Sequence, residues 1–250
     1  MITPLSISPA WISLTPSEGI SGLDQVWQAC WQLPMPAPCE VWLSRLSPMT
    51  TLASKFEAFL DVTEIAELAR LRQPADRIRM VLRRGLRRLL LARKLQCAPE
   101  HLRFAHHPGG KPILCEPSHR TLHFNTASAG DWFLLGMSPE QELGVDMEVA
   151  SRLILTPELI DLSCSLSERQ QLTSLSDADR AMAFLRLWTA KEAVLKLRGT
   201  GFHNAVDVRK VLETLSADEC VTELPSVPEV MSHIATAGQG SVKAARKPKL

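Results

Sequence analysis

The chain has 250 residues, 45% of them hydrophobic and 22% charged, with a formal net charge of +1. It is long enough to bury a large core, as one big domain or two lobes. Its near-balanced charge gives bulk electrostatics no reason to favour nucleic acid or a membrane surface. The six cysteines (30, 39, 97, 115, 164 and 220) are scattered and form no C-x-x-C pair, so reduced thiols are expected. The first residues lack a basic region followed by an apolar one, and no apolar run nears the roughly 20 residues of a membrane helix, so a cytoplasmic protein is expected.

Residues 1 to 38 are rich in Pro, Ser and Trp and read as an N-terminal extension packed on the body through Trp11, Trp27 and Trp31. Glu40 to Leu46 alternates Val41 and Leu43 with polar positions, the pattern of a first strand. Thr63 to Arg72 is expected to be a helix capped by Thr63, followed by Pro74. Ala75 to Leu95 is the next helix, with Ile78, Leu82, Leu86 and Leu89 in one sector. Arg77, Arg83, Arg84, Arg87 and Arg88 fall opposite, with Arg79 near the boundary. Between Arg70 and Lys94, ten Arg or Lys residues face a single Asp76, so this face is either a solvated surface or a surface for phosphate or an acidic partner.

His107-Pro108-Gly109-Gly110-Lys111-Pro112 reads as a turn; Gly-Gly-Lys here lacks the spacing of a Walker loop. Leu122 to Phe124 is expected to be a strand leading into a small-residue turn, Asn125-Thr126-Ala127-Ser128-Ala129-Gly130, where a ligand could approach the backbone. Trp132 to Met137 and Glu142 to Val149 read as a hairpin turning at Ser138-Pro139-Glu140. Arg152 to Leu175 is helical in parts, broken at Pro157. Ala181 to Arg198 has no Gly or Pro and reads as one long helix ended by Gly199. Strand-like pieces follow at 205 to 211, 220 to 224 and 230 to 236, and the basic tail, 239 to 250, is expected to be disordered.

Two stretches carry chemistry. In the strand Gly144-Val145-Asp146-Met147-Glu148, residues i and i+2 point to one side, which places Asp146 beside Glu148. On the long helix, Glu192 and Lys196 are neighbours at i and i+4. If that helix faces the strand, three carboxylates and a lysine meet. Hard oxygen donors with no Cys or His nearby suit Mg²⁺, which prefers carboxylates, water and substrate phosphates.

G-V-D-M-E, followed about forty residues later by L-W-T-A-K-E-A-V-L-K-L-R-G-T-G, resembles the signature of the 4′-phosphopantetheinyl transferases. R-Q-P-A-D-R-I-R-M, G-G-K-P and F-N-T-A-S-A-G-D-W occur in the expected order, and the likeness runs from roughly Val41 to Thr236. The resemblance, to the larger monomeric type associated with secondary metabolism, implies an α+β fold of two similarly built lobes. Each lobe would be a small, mostly antiparallel sheet packed with a long helix, residues 39–150 and 151–238, with coenzyme A between them. It implies Mg²⁺-dependent transfer of the phosphopantetheine arm of coenzyme A to a serine of an apo acyl or peptidyl carrier protein, releasing 3′,5′-ADP. Asp146, Glu148 and Glu192 would hold the metal. Glu192 and Lys196 would be catalytic, and Arg79, Lys111, Ser128, Lys191 and Lys196 would grip coenzyme A.

Two departures stand out. The family's usual Ser-His pair is Ala127-Ser128 here, which brings no charge, and Glu64 and Glu67 stand where lysines are common. A non-catalytic carrier- or coenzyme A-binding homologue, or another Mg²⁺-dependent nucleotide or diphosphate enzyme, remain as alternatives.

Overall fold

The computed structural model describes residues 23–106, 110–118, 121–201, 206–225, 227 and 230–238. Trp11, the His107–Gly109 part of the expected turn and the 239–250 tail lie outside them. The helices are α1 (Asp24–Gln28), α2 (Ala53–Glu57), α3 (Val62–Leu68), α4 (Pro74–Leu95), α5 (Pro157–Ser163), α6 (Leu166–Thr173) and α7 (Asp177–Arg198). The strands are β1 (Cys30–Leu33), β2 (Glu40–Arg45), β3 (Arg103–His106), β4 (Pro112–Glu116), β5 (His123–Ala129), β6 (Trp132–Ser138), β7 (Glu142–Val149), β8 (Glu219–Glu223) and β9 (Val230–Ala237). This is the α+β arrangement expected.

All strand pairing is antiparallel, in a sheet of order β1-β2-β6-β5, a second of order β7-β9-β8, and the small β3-β4 pair. The alternation of side chains along each strand decides the layers. On the first sheet, Trp42, Phe124, Phe133, Leu135 and Met137 pack with α4 through Leu82, Leu86, Leu89 and Leu90. Its other face, with Val41, Leu43, Ala127, Ala129 and Leu134, meets Leu143, Val145, Met147 and Ile234 of the second sheet. The far face of the second sheet, through Val221 and Ala235, packs on Ala190, Ala193, Val194 and Leu197 of α7. The order is therefore α4, sheet, sheet, α7.

Several local expectations change. The β6–β7 hairpin does not form: β6 pairs with β2 and β5, whereas β7 pairs with β9, Asp146 opposite His233. Residues 139–141 carry the chain from one sheet to the facing one, and the two strands present apolar residues to the surfaces that meet. The small-residue stretch 125–129 is strand rather than turn, and the reversal is at Gly130, in the left-handed region at φ 57°. Asp61 rather than Thr63 caps α3, accepting from the Thr63 and Glu64 amides while Glu64 reaches back to the Asp61 amide, a reciprocal capping box. Residues 208–210 form a 3₁₀ turn, with Asp207 accepting from the Arg209 amide, where a strand was expected.

The arginine face of α4 is also corrected. Arg88 lies in the core, not on the surface; its guanidinium donates to Glu64, Asp61 and the carbonyls of Pro99 and Leu102 at 2.7 to 3.0 Å. Burial of that charge is tolerable because every side of it is paired. Ile78, expected on the apolar side, is exposed.

Candidate active site

The site starts with β7. Leu143, Val145 and Met147 face the first sheet and are buried there. By alternation Gly144, Asp146 and Glu148 face α7. At Gly144 the helix lies against the strand backbone: an added Cβ would stand 2.1 Å from the Ala193 carbonyl oxygen and 2.3 Å from the Leu197 nitrogen. Only a residue without a side chain admits that approach. It brings Lys196 onto the strand, where Nζ donates to Asp146 Oδ1 at 2.8 Å. The strand–helix meeting expected from the sequence is thus present.

A cavity of about 430 Å³ opens beside this contact. From the second sheet and α7 it is lined by Asp146, Met147, Glu148 and Lys196; from β5 by Thr126, Ala127 and Ser128; from α4 by Met80, Arg83, Arg84 and Arg87. β5 and β7 are edge strands of their sheets and run beside each other, the Val145 amide donating to Asn125 Oδ1 at 3.0 Å. The two sheets therefore share this opening. His106 and Phe133 also line it. His106 was given no role from the sequence, where only its pairing in β3 could have aimed it here.

The electrostatics of the site are those of crowded, buried carboxylates. Burial, followed by the charges of Asp146 and Glu148, pushes the Glu192 carboxyl up to about 7, although Lys196 opposes this. Burial and the charge of Asp146 likewise raise Glu148, and burial raises Asp146 against the pull of Lys196. Asp146 Oδ2 is buried with no hydrogen-bond partner. Among the described residues, no group of three or more His, Cys, Asp or Glu is close enough to hold a metal ion as placed. The two observations are compatible: the carboxylates are near enough to repel, and the Lys196 ammonium occupies one oxygen of Asp146. In kind, hard acidic oxygens with an orphaned buried acceptor suit Mg²⁺.

The coenzyme-gripping residues expected from the sequence do not all gather here. Ser128 and Lys196 line the cavity. Lys111 borders a neighbouring cavity of about 320 Å³, donating to Glu142 Oε2 at 2.8 Å and the Leu143 carbonyl at 3.1 Å. Although burial opposes it, Lys111 and His123 hold the Glu142 carboxyl below its usual range. Arg79 is half exposed and pairs with Asp76 at 2.9 Å outside the cavity lining. Lys191 is 1% exposed and points away from the site. Its ammonium donates to Glu168 Oε2 at 2.6 Å, the Ser163 carbonyl at 2.7 Å and the Arg209 carbonyl at 3.4 Å. Three donors meet three acceptors, so it pins α7 to α6 and α5 and has none left for a ligand. The one-position offset from Glu192 turns it about 100° around the helix.

Glu64 and Glu67, the acidic residues on the short helix α3, also find their meaning. They pair with Arg87 and Arg84 respectively, beside the Glu64–Arg88 pair in the core. The α3 acids neutralise part of the basic face before it reaches the cavity.

Comparison with known proteins decides the family. Residues 142–232 match the model of the 4′-phosphopantetheinyl transferase superfamily, a segment running from β7 into β9. A proposed 4′-phosphopantetheinyl transferase of Synechocystis sp. is 36% identical over 176 residues, 69% of this chain and 69% of that protein. The chain belongs to the 4′-phosphopantetheinyl transferase superfamily. Other similar members are HetI of Nostoc sp., 29% identical over 69% of this chain and 73% of its own length. AcpT of Salmonella typhimurium is 33% identical over 53% of this chain and 67% of its own. The matched segment holds the strand and helix that bring Asp146 and Lys196 together.

Proposed function

We propose that the protein transfers the 4′-phosphopantetheine arm of coenzyme A to a serine of an apo acyl or peptidyl carrier protein, releasing 3′,5′-ADP. The observation that carries the reading is Lys196 Nζ on Asp146 Oδ1 at 2.8 Å, beside Glu148, at the wall of a cavity whose other side is basic. In the reaction the carrier serine Oγ forms a bond to the phosphorus bearing pantetheine. The bond from that phosphorus to the bridging oxygen breaks, and the electron pair leaves with 3′,5′-ADP. The serine proton goes to a nearby base, for which Glu192, one helical turn from Lys196 on α7, is the carboxylate in position.

Asp146, Glu148 and Glu192 are the residues that would hold Mg²⁺. When bound, the ion supplies charge neutralisation on the pyrophosphate as the leaving group departs. Lys196 brings a compact positive charge to the same wall and, by donating to Asp146 Oδ1, orients that carboxylate and opposes the rise that burial gives its pKa. Met147, buried between the sheets, anchors the strand between its two acidic neighbours. The reading takes the protein as a cytoplasmic monomer serving polyketide or nonribosomal-peptide carriers. Among the described residues, no helix is long and apolar enough to cross a membrane.

The test is to incubate the protein with coenzyme A, Mg²⁺ and a panel of apo carrier proteins, and to follow each carrier by intact mass. A gain of one phosphopantetheine group on a carrier, absent when its serine is replaced by alanine, is the expected result. Coenzyme A binding without modification of any carrier would sink the transferase reading. Cleavage of a nucleotide or diphosphate without a carrier would move it to another reaction class.

A further inference from the structure

Helix α7 packs on the second sheet through Ala190, Ala193 and Val194 against Val221 and Ala235. Contact between small apolar side chains is non-directional and leaves a helix free to slide or roll on the surface beneath it. The site needs α7 in one place, with Lys196 on Asp146. A buried directional bond lies close by. His233 of β9 stands opposite Asp146 in the strand register, and the two share the face turned to α7. Its ring is fully buried, with Nδ1 at 2.8 Å from Thr189 Oγ1 of α7. Thr189 is itself buried, and it precedes Lys196 by close to two helical turns, so both look toward the sheet.

The donor and acceptor roles follow from proton counting. The Thr189 hydroxyl has one proton, and the Leu185 carbonyl oxygen at 2.8 Å can only accept it. The hydroxyl oxygen is then left to accept from His233, so Nδ1 carries the ring proton. Burial, then the charge of Arg186, keep the imidazole neutral. That tautomer leaves Nε2 as a bare acceptor, and Nε2 is buried without a partner. A half-satisfied ring in a core is costly. For packing against Ala235 and Val221 alone an apolar side chain would serve better. What the imidazole adds is direction: one fixed point between α7 and the strand rung that carries Asp146.

We propose that His233 is a positioning residue for the transfer step, holding α7 through Thr189 so that Lys196 and Glu192 meet Asp146 and Glu148. Gly144 sets how near the helix comes to the sheet, and His233 sets where along the sheet it stops. The inference rests on the transferase reading for the reaction that this placement serves. It assigns His233 no contact with substrate.

The test exploits the two ring nitrogens. His233→Asn puts an amide nitrogen at the same number of bonds from the backbone as Nδ1, whereas His233→Gln puts it where Nε2 was. Each folded variant is read twice in the full chain. One readout is the proton–nitrogen NMR signal of the Lys196 ammonium, which is slow to exchange while Asp146 holds it and is assigned by its loss in Lys196→Arg. The other is steady-state modification of an apo carrier. His233→Gln is expected to lose the signal and to drop kcat by roughly 10- to 100-fold, the scale of a misplacement near 1 Å. KM for coenzyme A should change little, because the β5 and α4 walls of the cavity stay in place. His233→Asn is expected to keep both. The proposal is overturned if His233→Gln retains either the signal or normal turnover, if His233→Asn loses them equally, or if the wild type lacks the signal. If the wild type modifies no carrier, the transferase reading fails, and the placement of α7 is decided on the ammonium signal alone. Should His233→Gln not fold, Thr189→Val takes its place, with Thr189→Ser as the variant that keeps the hydroxyl and is expected to keep both readouts.

Discussion

Gly144→Ala is the sharpest test of how the site is built. The added methyl carbon would lie 2.1 Å from the Ala193 oxygen, 2.3 Å from the Leu197 nitrogen and 2.9 Å from the Lys196 carbonyl carbon. Ordinary contact begins near 3.4 Å, so strand and helix must separate by about 1.3 Å at this point. All three obstacles are backbone atoms of α7, and no side chain can rotate to relieve them. Overpacking typically costs about 1–3 kcal/mol; with rigid backbone on both sides the upper end applies. At about 2–4 °C per kcal/mol for a chain of this size, the melting temperature should fall by roughly 6–12 °C. Function should suffer more than stability, because Lys196 reaches Asp146 across the same gap. A misplacement of about 1 Å can cost around 100-fold in rate. Urea unfolding combined with a carrier-modification assay measures both quantities. A variant with wild-type stability and turnover would show that α7 does not depend on Gly144 for its position.

Asp146→Ala is expected to abolish transfer while the circular dichroism spectrum stays native, since the side chain lies at a polar wall and its one ion-pair partner, Lys196, is part-exposed. Normal turnover in that variant would refute its role. Lys191→Met removes the pin between α7 and α6, leaving Glu168 and two carbonyls without their donor. It should cost about 3–5 kcal/mol in urea unfolding with unchanged coenzyme A affinity in the folded fraction, whereas a selective loss of affinity would return Lys191 to the ligand. His233, buried and near the charge of Arg186, is held down to about 3. The unfolded chain therefore binds the proton that the folded one refuses between about pH 6.5 and 3, and stability falls as pH drops through that window. At pH 5 this amounts to about 2 kcal/mol relative to pH 8. Replacing His233 by Asn should flatten the slope of urea stability against pH, and an unchanged slope would refute the assignment.

The legible features were local. The i, i+2 spacing of Asp146 and Glu148 and the i, i+4 spacing of Glu192 and Lys196 fix which side chains share a face whatever surrounds them. The unbroken run from Ala181 to Arg198 announced α7, and Gly199 in the left-handed region ends it as expected. The errors fell where a choice between partners decided the outcome. β6 and β7 have apolar content and a turn between them that would equally serve a hairpin, yet each found better burial elsewhere. Arg88 looks like its neighbours on a helical wheel and is core only because Asp61, the cap of α3, and Glu64 in its first turn are there to meet it.

The sequence by itself determined the chemical vocabulary of this protein: acidic oxygens paired on a strand, an acid and a lysine one turn apart on a helix, and a basic helix upstream. Those follow from backbone periodicity, which short-range covalent geometry imposes. Tertiary structure alone decided which members of that vocabulary meet. It put Lys196 on Asp146 through a contact that only Gly144 permits, turned Lys191 into a strut, and matched acids to all the cavity-facing arginines of α4 but Arg83. Charge pairing depends on which side chains burial places together, and that depends on the packing of elements far apart in the chain.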